Sequence, residues 1–241
     1  MSGPKPAVCV CSGGIDSTVA AAVAAQAGYD LYLFHAYYGQ RAAKREKEAV
    51  EKIAAYLGAK EWKLVEIPFL KELGRSALTD IAVKIPLGEE VNLEEKKTPA
   101  TWVPCRNLIL LAMAGAYAEV ISAEAIFVGF NAEEARAYPD NEKEFVERYN
   151  AVLEKAVASY CLPPRVKAPL VELFKPEIIK KGVELKAPLH LSYSCYLGGA
   201  KHCGICESCL HRRHGFEGAG VEDPTEYFPA SLSLFGPYNQ S

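Results

Sequence analysis

The stretch Cys9-Val10-Cys11-Ser12-Gly13-Gly14-Ile15-Asp16-Ser17-Thr18 decides how this chain of 241 residues is read. It begins as a short apolar run, turns at two adjacent glycines and continues into the alanine-rich Val19 to Ala27. That order predicts a buried strand, a tight loop and a helix. The glycines let the backbone approach a ligand closely and adopt angles closed to other residues. Ser12, Ser17 and Thr18 add hydroxyls, and a helix start offers free N–H groups at the positive end of its dipole. Such a site suits phosphate or pyrophosphate. Two common phosphate loops are excluded. No Lys-Ser/Thr pair follows the last glycine, and Ser17 stands where a dinucleotide fingerprint needs its third glycine.

Outward from this loop the pattern repeats. Ala7 to Cys11 reads as the first strand, and its helix runs to about Gln26 with Gly28 as the stop. Asp30 to Ala36 is a second strand, and His35-Ala36-Tyr37-Tyr38-Gly39-Gln40-Arg41 follows at its carboxyl end. A charged amphipathic helix from Ala42 to Leu57 and a third strand from Glu61 to Ile67 come next. Alternation of this kind predicts a doubly wound parallel α/β sheet with right-handed crossovers. Ligands of such sheets sit at the carboxyl ends of the strands, where the glycine loop falls. Residues 69–100 are the least regular part and contain a charged run from Glu89 to Lys97. This excursion is expected to pass over the site or toward a partner and to be partly mobile, with the charge run as solvated surface. Thr101 to Asn107 then leads into an apolar helix from about Leu108 to Val120. A strand at Ala125 to Gly129, a helix from Glu142 to Ser159 and a strand at Arg165 to Ala168 follow. A helix from Lys175 to about Lys186 has Pro176 in its first turn, where a missing N–H costs nothing, and a last helix spans Glu207 to Phe216.

Composition is half hydrophobic and about a quarter charged, ordinary for a globular protein. A formal charge of −3 argues against a protein that grips nucleic acid through its phosphates. No apolar run reaches a membrane span and Met1 to Pro6 lacks a secretory pattern, so a cytoplasmic location is expected. Eight cysteines therefore need another explanation than disulfides. Four of them, Cys195, Cys203, Cys206 and Cys209, crowd into one short segment with Gly198, Gly199 and Gly204 between them. Four thiolates at these spacings match a closed tetrahedral Zn²⁺ site, which is structural because no position stays open. The spacings usual for iron–sulfur clusters are not met. Cys9, Cys11 and Cys161 read as small buried side chains. Cys105, beside Arg106, reads either the same way or as a thiol of lowered pKa. His35 and His202 are open between ligand and packing roles.

Taken together, Ser12–Ser17 (SGGIDS), His35–Arg41 (HAYYGQR), Val103–Asn107 (VPCRN), Tyr138–Asp140 (YPD), the Lys175–Ile178 helix start and Ser194–Phe216 resemble the 7-cyano-7-deazaguanine synthase family. The likeness runs from Ser12 to about Tyr227. The first motif is shared across the superfamily of enzymes that split ATP into AMP and pyrophosphate, and the last is close to diagnostic. The resemblance implies a Rossmann-like, adenine nucleotide alpha hydrolase-like domain over 1–190, and a zinc-binding segment over 191–241 packed on it. It implies ATP with Mg²⁺ and one structural Zn²⁺ per chain. It implies that 7-carboxy-7-deazaguanine is adenylated, that ammonia displaces AMP, and that a second ATP drives loss of the amide oxygen to leave the nitrile. That product is a precursor of queuosine and archaeosine in tRNA. Small-molecule partners, no direct contact with nucleic acid or membrane, and a homodimer are implied as well.

Carried over residue by residue, Cys11, Ser12, Gly13, Gly14, Asp16, Ser17, His35 and Gln40 would hold ATP, Asp16 through Mg²⁺. Arg106 and Lys175 would assist Asp16 in catalysis as pyrophosphate leaves. Arg41, Asn131, Glu134, Tyr138 and Asp140 would hold the deazaguanine, and Cys195, Cys203, Cys206 and Cys209 the metal. Among the acids Glu133, Glu134 and Asp140, the expected reader of the guanine-like edge is Asp140, with Glu134 second. Asp140 could instead cap the following helix. Two departures from the family stand out: Cys105 replaces a glycine, and Asn131 to Ala137 differs from the usual loop before Tyr-Pro-Asp. Three other readings compete. One is a tRNA thiolase with the same phosphate loop, using Cys105 as sulfur carrier. Another is an enzyme joining a deazapurine or other carboxylate to an amine. The last, from a different class, is a zinc-knuckle binding module without catalysis.

Overall fold

The structure, a computed structural model, describes residues 5–93, 97–158 and 162–229. Five parallel strands form one sheet in the order β3-β2-β1-β4-β5. They are β1 (Pro6–Val10), β2 (Asp30–Tyr37), β3 (Glu61–Glu66), β4 (Ala125–Phe127) and β5 (Arg165–Lys167). Val8 lies opposite both Tyr32 and Ile126, which puts β1 at the centre. The helices are α1 (Ile15–Gln26), α2 (Ala43–Leu57), α3 (Pro68–Glu72), α4 (Arg106–Val120), α5 (Lys143–Ala156), α6 (Lys175–Glu184) and α7 (Glu207–Ala219).

Strand side chains alternate between faces, and the strands here are apolar at both parities. Ala7, Cys9, Leu31, Leu33, Ala125 and Phe127 pack with Ala21 and Ala24 of α1 and with Val50 and Ile53 of α2. Val8, Phe34, Ile126 and Val166 pack on the opposite face with Leu111 and Ala114 of α4 and with Tyr149 and Leu153 of α5. The sheet is therefore doubly wound, as the alternating pattern predicts. The chain leaves β1 toward β2 on one side and β4 on the other, so the crevice beyond β1 and β4 is the switch point where ligands bind.

Two glycines permit the close packing at that point. A Cβ on Gly129, just past β4, would lie 2.6 Å from the backbone of Asp16 and Ser17. Gly13, at φ +85°, would meet the carbonyl oxygen of Glu46 at 2.9 Å. β4 ends at Phe127, short of the Gly129 that its apolar run suggests.

The excursion after β3 is irregular, with α3 and one 3-10 turn at Gly88–Glu90 among its described residues. Within the charged run, residues 94–96 lie outside the described residues. The excursion is anchored to the cysteine segment: Ala77 and Ile85 pack on the four cysteines, and the Gly88 N–H donates to the Ile205 carbonyl at 2.8 Å. The cysteine segment packs on the sheet domain in turn. Phe216 of α7 sits among Ile15, Val19 and Ile178, and the buried Arg212 bonds Leu189 O and Ser192 Oγ.

Three helix boundaries differ from expectation. α4 starts at Arg106, two residues early, because its N-terminus is capped by a side chain from elsewhere in the chain. α7 continues to Ala219, where Gly220 at φ +68° ends it. α5 starts at Lys143, and the expected end at Ser159 lies outside the described residues, as does Cys161.

Candidate active site

A cavity of about 530 Å³ opens at the carboxyl ends of β1, β2 and β4. The glycine loop forms its floor. Ser17 Oγ accepts the Ser12 N–H at 3.2 Å and donates to the Gly14 carbonyl, while Ser12 Oγ accepts the Gly14 N–H at 3.3 Å. The hydroxyls thus rigidify the turn and keep the start of α1 open toward the cavity. His35 donates from Nδ1 to the Cys11 carbonyl at 2.9 Å, so its Nε2 is left as an acceptor. Burial lowers its pKa, which keeps the ring neutral.

Lys175 and Asp16 meet beside this floor. The Lys175 ammonium donates to both carboxylate oxygens of Asp16, at 2.6 and 2.8 Å, with both side chains largely buried. Burial opposes the ammonium charge, but Asp16 and Glu134 hold the Lys175 pKa above its ordinary value. Glu134 also lines the cavity, and burial raises its pKa against the pull of Lys175. Glu133 lies 3.3 Å from His211 of α7, and His211 and Lys175 lower its pKa against burial. Pro176 makes this cluster possible: it opens α6 so that Lys175, the first helical residue, points at the loop.

Arg106, first residue of α4, is a second, half-buried cation on the cavity wall. Its guanidinium lies 5.9 Å from the Tyr38 ring centroid, and its Nε donates to Asn107 Oδ1 at 3.1 Å. Burial works against that charge, yet Tyr38 and Asp140 keep it firmly protonated. Opposite lies Glu46 of α2, which accepts Gln40 Nε2 at 2.8 Å and whose pKa burial pushes up to about 7.

The expected base-binding residues divide. Glu134 and Tyr138 line the cavity, and the Tyr138 hydroxyl bonds Thr101 Oγ1 at 2.7 Å while its ring stacks on Trp102. Asn131 is fully buried, and its Oδ1 accepts the Glu134 N–H at 2.9 Å, which fixes the loop from behind. Asp140 sits off the cavity wall. It accepts hydrogen bonds from both the side chain and the backbone N–H of Asn107, so it caps α4 rather than the helix that follows it. Gln40 and Arg41 reach the cavity but are occupied within the protein. Gln40 bonds Tyr38 N–H and Ala36 O, and Arg41 Nη2 donates to the carbonyls of Asp80 and Val83, pinning the excursion.

The four clustered cysteines are buried, with sulfur atoms all within 4.8 Å of one another. Thiolates about 2.3 Å from a tetrahedral centre stand roughly 3.8 Å apart, and Cys203 and Cys209 are separated by 3.8 Å. The N–H groups of Cys203 and Cys206 donate to the sulfurs of Cys195 and Cys203 at 3.4 and 3.3 Å, the outer-shell support that ligating thiolates take. These residues fit a structural metal. His202 is excluded from it, since its Nε2 accepts the Ser194 N–H at 3.0 Å and its ring packs between Tyr193 and Tyr227. Cys9 and Cys11 are buried and Cys105 is exposed.

Glu46, Tyr196, Glu207 and His211 line the cavity without having been singled out from sequence. Glu207 lies among the cysteines and His211 just after the last of them, and the metal-binding spacing accounts for the segment without either. Their spacing of one helical turn along α7 was the available signal.

A doubly wound parallel sheet with a serine-glycine loop and a cavity at its switch point defines the α/β class to which this chain belongs. The model of a family described as "Queuosine biosynthesis protein QueC" matches residues 6–220. The chain belongs to that family. A 7-cyano-7-deazaguanine synthase from Methanothrix thermoacetophila is 57% identical over 221 residues, covering 92% of this chain and 98% of that protein. A protein of the same name from Oceanobacillus iheyensis is 42% identical over 226 residues, with the same coverage. A solved U34-tRNA thiolase from Methanococcus maripaludis aligns with 81% of this chain and 62% of its own, at 19% identity and a TM-score of 0.49. Among the described residues, no helix is long and apolar enough to cross a membrane.

Proposed function

We propose that this protein is an ATP-dependent carbon–nitrogen ligase that converts 7-carboxy-7-deazaguanine and ammonia to 7-cyano-7-deazaguanine. The observation that carries the reading is likeness to a synthase of that name at 57% identity over 98% of its length. The geometry supports it, because phosphate-binding and base-binding features face one another across a single cavity.

The carboxylate oxygen of the substrate attacks the α-phosphorus of ATP, and pyrophosphate leaves. Ammonia then adds to the acyl carbon and AMP departs, giving the amide. The amide oxygen attacks a second ATP in the same way. Loss of AMP with both amide protons leaves the nitrile. Each step ejects a polyanion, so its cost falls where fixed positive charge and N–H donors await it. The start of α1 supplies the N–H groups, and Lys175 and Arg106 supply the charge. Ser12 and Ser17 hold the loop in shape, and His35, held neutral with Nε2 free, offers an acceptor on the nucleotide side.

Mg²⁺, when bound with the nucleotide, would neutralise phosphate charge, and Asp16 offers the hard oxygen ligands it needs. Asp16 is paired with Lys175, and its carboxylate has lone pairs enough to share. Zn²⁺ is the proposed occupant of the cysteine cluster, where four thiolates and no open position suit it. The reading includes a cytoplasmic homodimer, which light scattering on purified protein checks in part. The deciding experiment incubates the protein with 7-carboxy-7-deazaguanine, ATP, Mg²⁺ and ammonium and identifies the products by mass. The nitrile with AMP and pyrophosphate is expected; the amide as sole end product would favour an amide ligase, and no consumption of ATP would end the enzyme reading.

A further inference from the structure

We propose that the carboxylate of Glu207, on the cysteine-bearing segment, reads the N1–H and 2-amino edge of the substrate's guanine-like ring. The proposal rests on the synthase reading above and names the residue that sets its base specificity. A ring edge bearing two N–H donors side by side is best matched by a carboxylate, whose two oxygens accept both. The carboxylate must be bonded by no cation, held still, and set among flat apolar surfaces.

The acids of the cavity can be sorted on those terms. Asp16 is held by Lys175, and Glu134 lies in the field of the same ammonium. Glu133 is paired with His211 and lies in the field of Lys175. Glu46 is bonded by Gln40 and feels Arg106. Asp140 is outside the cavity wall and is spent on the start of α4.

Glu207 differs from these in that no cation and no amide donates to it; His211, one turn along α7 and close to Glu133, acts on it only through space. Among the described residues it takes one hydrogen bond, at 3.3 Å from the neutral hydroxyl of Thr101 to Oε2. Thr101 is fixed in turn by the Tyr138 hydroxyl, and Tyr138 is stacked on Trp102 at 5.9 Å between centroids. Tyr196 borders the same part of the cavity. Glu207 is the first residue of α7, directly after Cys206, so its backbone is pinned by the cysteine cluster. Aromatic walls with a positioned carboxylate that no cation bonds fit a planar base, whereas the Lys175–Asp16 end fits phosphate.

The test compares 7-carboxy-7-deazaguanine with its analogue lacking the 2-amino group, by kcat/KM, in the wild type, Glu207→Gln and Thr101→Val. Metal content and melting temperature are recorded for each. The wild type should prefer the amino-bearing substrate by roughly tenfold or more, because the analogue leaves a buried acceptor unpaired. Glu207→Gln should bring the two substrates within about threefold of one another, since an amide offers one acceptor and one mismatched donor. Thr101→Val, which leaves the cysteine segment intact, should lower the preference at least threefold. A folded, metal-loaded Glu207→Gln that keeps the wild-type preference overturns the proposal while leaving the synthase reading in place. If that variant fails to fold, an unchanged preference in Thr101→Val overturns it instead. A wild type that turns over neither substrate defeats the synthase reading itself.

Discussion

Cys105 stands in the left-handed region at φ +53°, just before the first turn of α4. That conformation costs an L-residue about 1–2 kcal/mol, and glycine adopts it freely but gains unfolded-state entropy. Cys105→Gly should therefore stabilise the protein by roughly 0.5–1 kcal/mol, read as a higher urea midpoint at constant slope. A lower midpoint would show that the thiol makes contacts worth more than the strain. Asp140 gives the complementary case. As the cap of α4 it should cost about 1 kcal/mol on replacement by alanine while leaving the discrimination between the two ring analogues unchanged. At this scale sequence reading reached its limit. Motifs locate Gln40, Arg41 and Asp140 near the site, but only the fold shows that their hydrogen bonds go to Ala36, Val83 and Asn107. The cap on Arg106–Val120 comes from a residue far along the chain, and no local pattern announces that.

Elements were more legible, because period and punctuation act locally. The strands of the sheet carry apolar residues at both parities, and Gly28, Gly58 and Pro176 mark helix ends where predicted. The excursion between β3 and α4 resisted reading because its contacts are made with a segment over a hundred residues later, through Ala77, Ile85 and Gly88. That contact sets a prediction for the cysteine segment. If its thiolates hold a metal, binding free energy is folding free energy for every element that leans on them. Cys206→Ser, or prolonged chelation of the wild type, should lower the melting temperature and loosen residues 77–93 together with 195–209. Hydrogen exchange would show both segments losing protection; loss confined to 195–209 would mean that the excursion stands by itself.

For the molecule as a whole, stability should carry the mark of Glu46. Its folded pKa of about 7 lies above the ordinary carboxylate value, so between these the folded state binds the extra proton. The sign follows: this group favours folding below about pH 4.5, and the benefit is lost as pH rises through 7. Glu46→Gln should flatten that fall and leave the variant more stable than wild type at pH 8 by on the order of 1 kcal/mol. Urea midpoints at pH 5 and pH 8 provide the comparison, and parallel changes in the two proteins would remove Glu46 from the account. The wall of the cavity runs from Val10 to Arg212, and its final pieces come from the cysteine segment. Synthesis on the ribosome proceeds from the other end. The sheet and its glycine loop can gather while the chain is still tethered, as domains commonly do, but the wall of the cavity is not complete until residue 212 has cleared the exit tunnel. A nascent chain thus has the floor of its cavity long before it has the last of the walls.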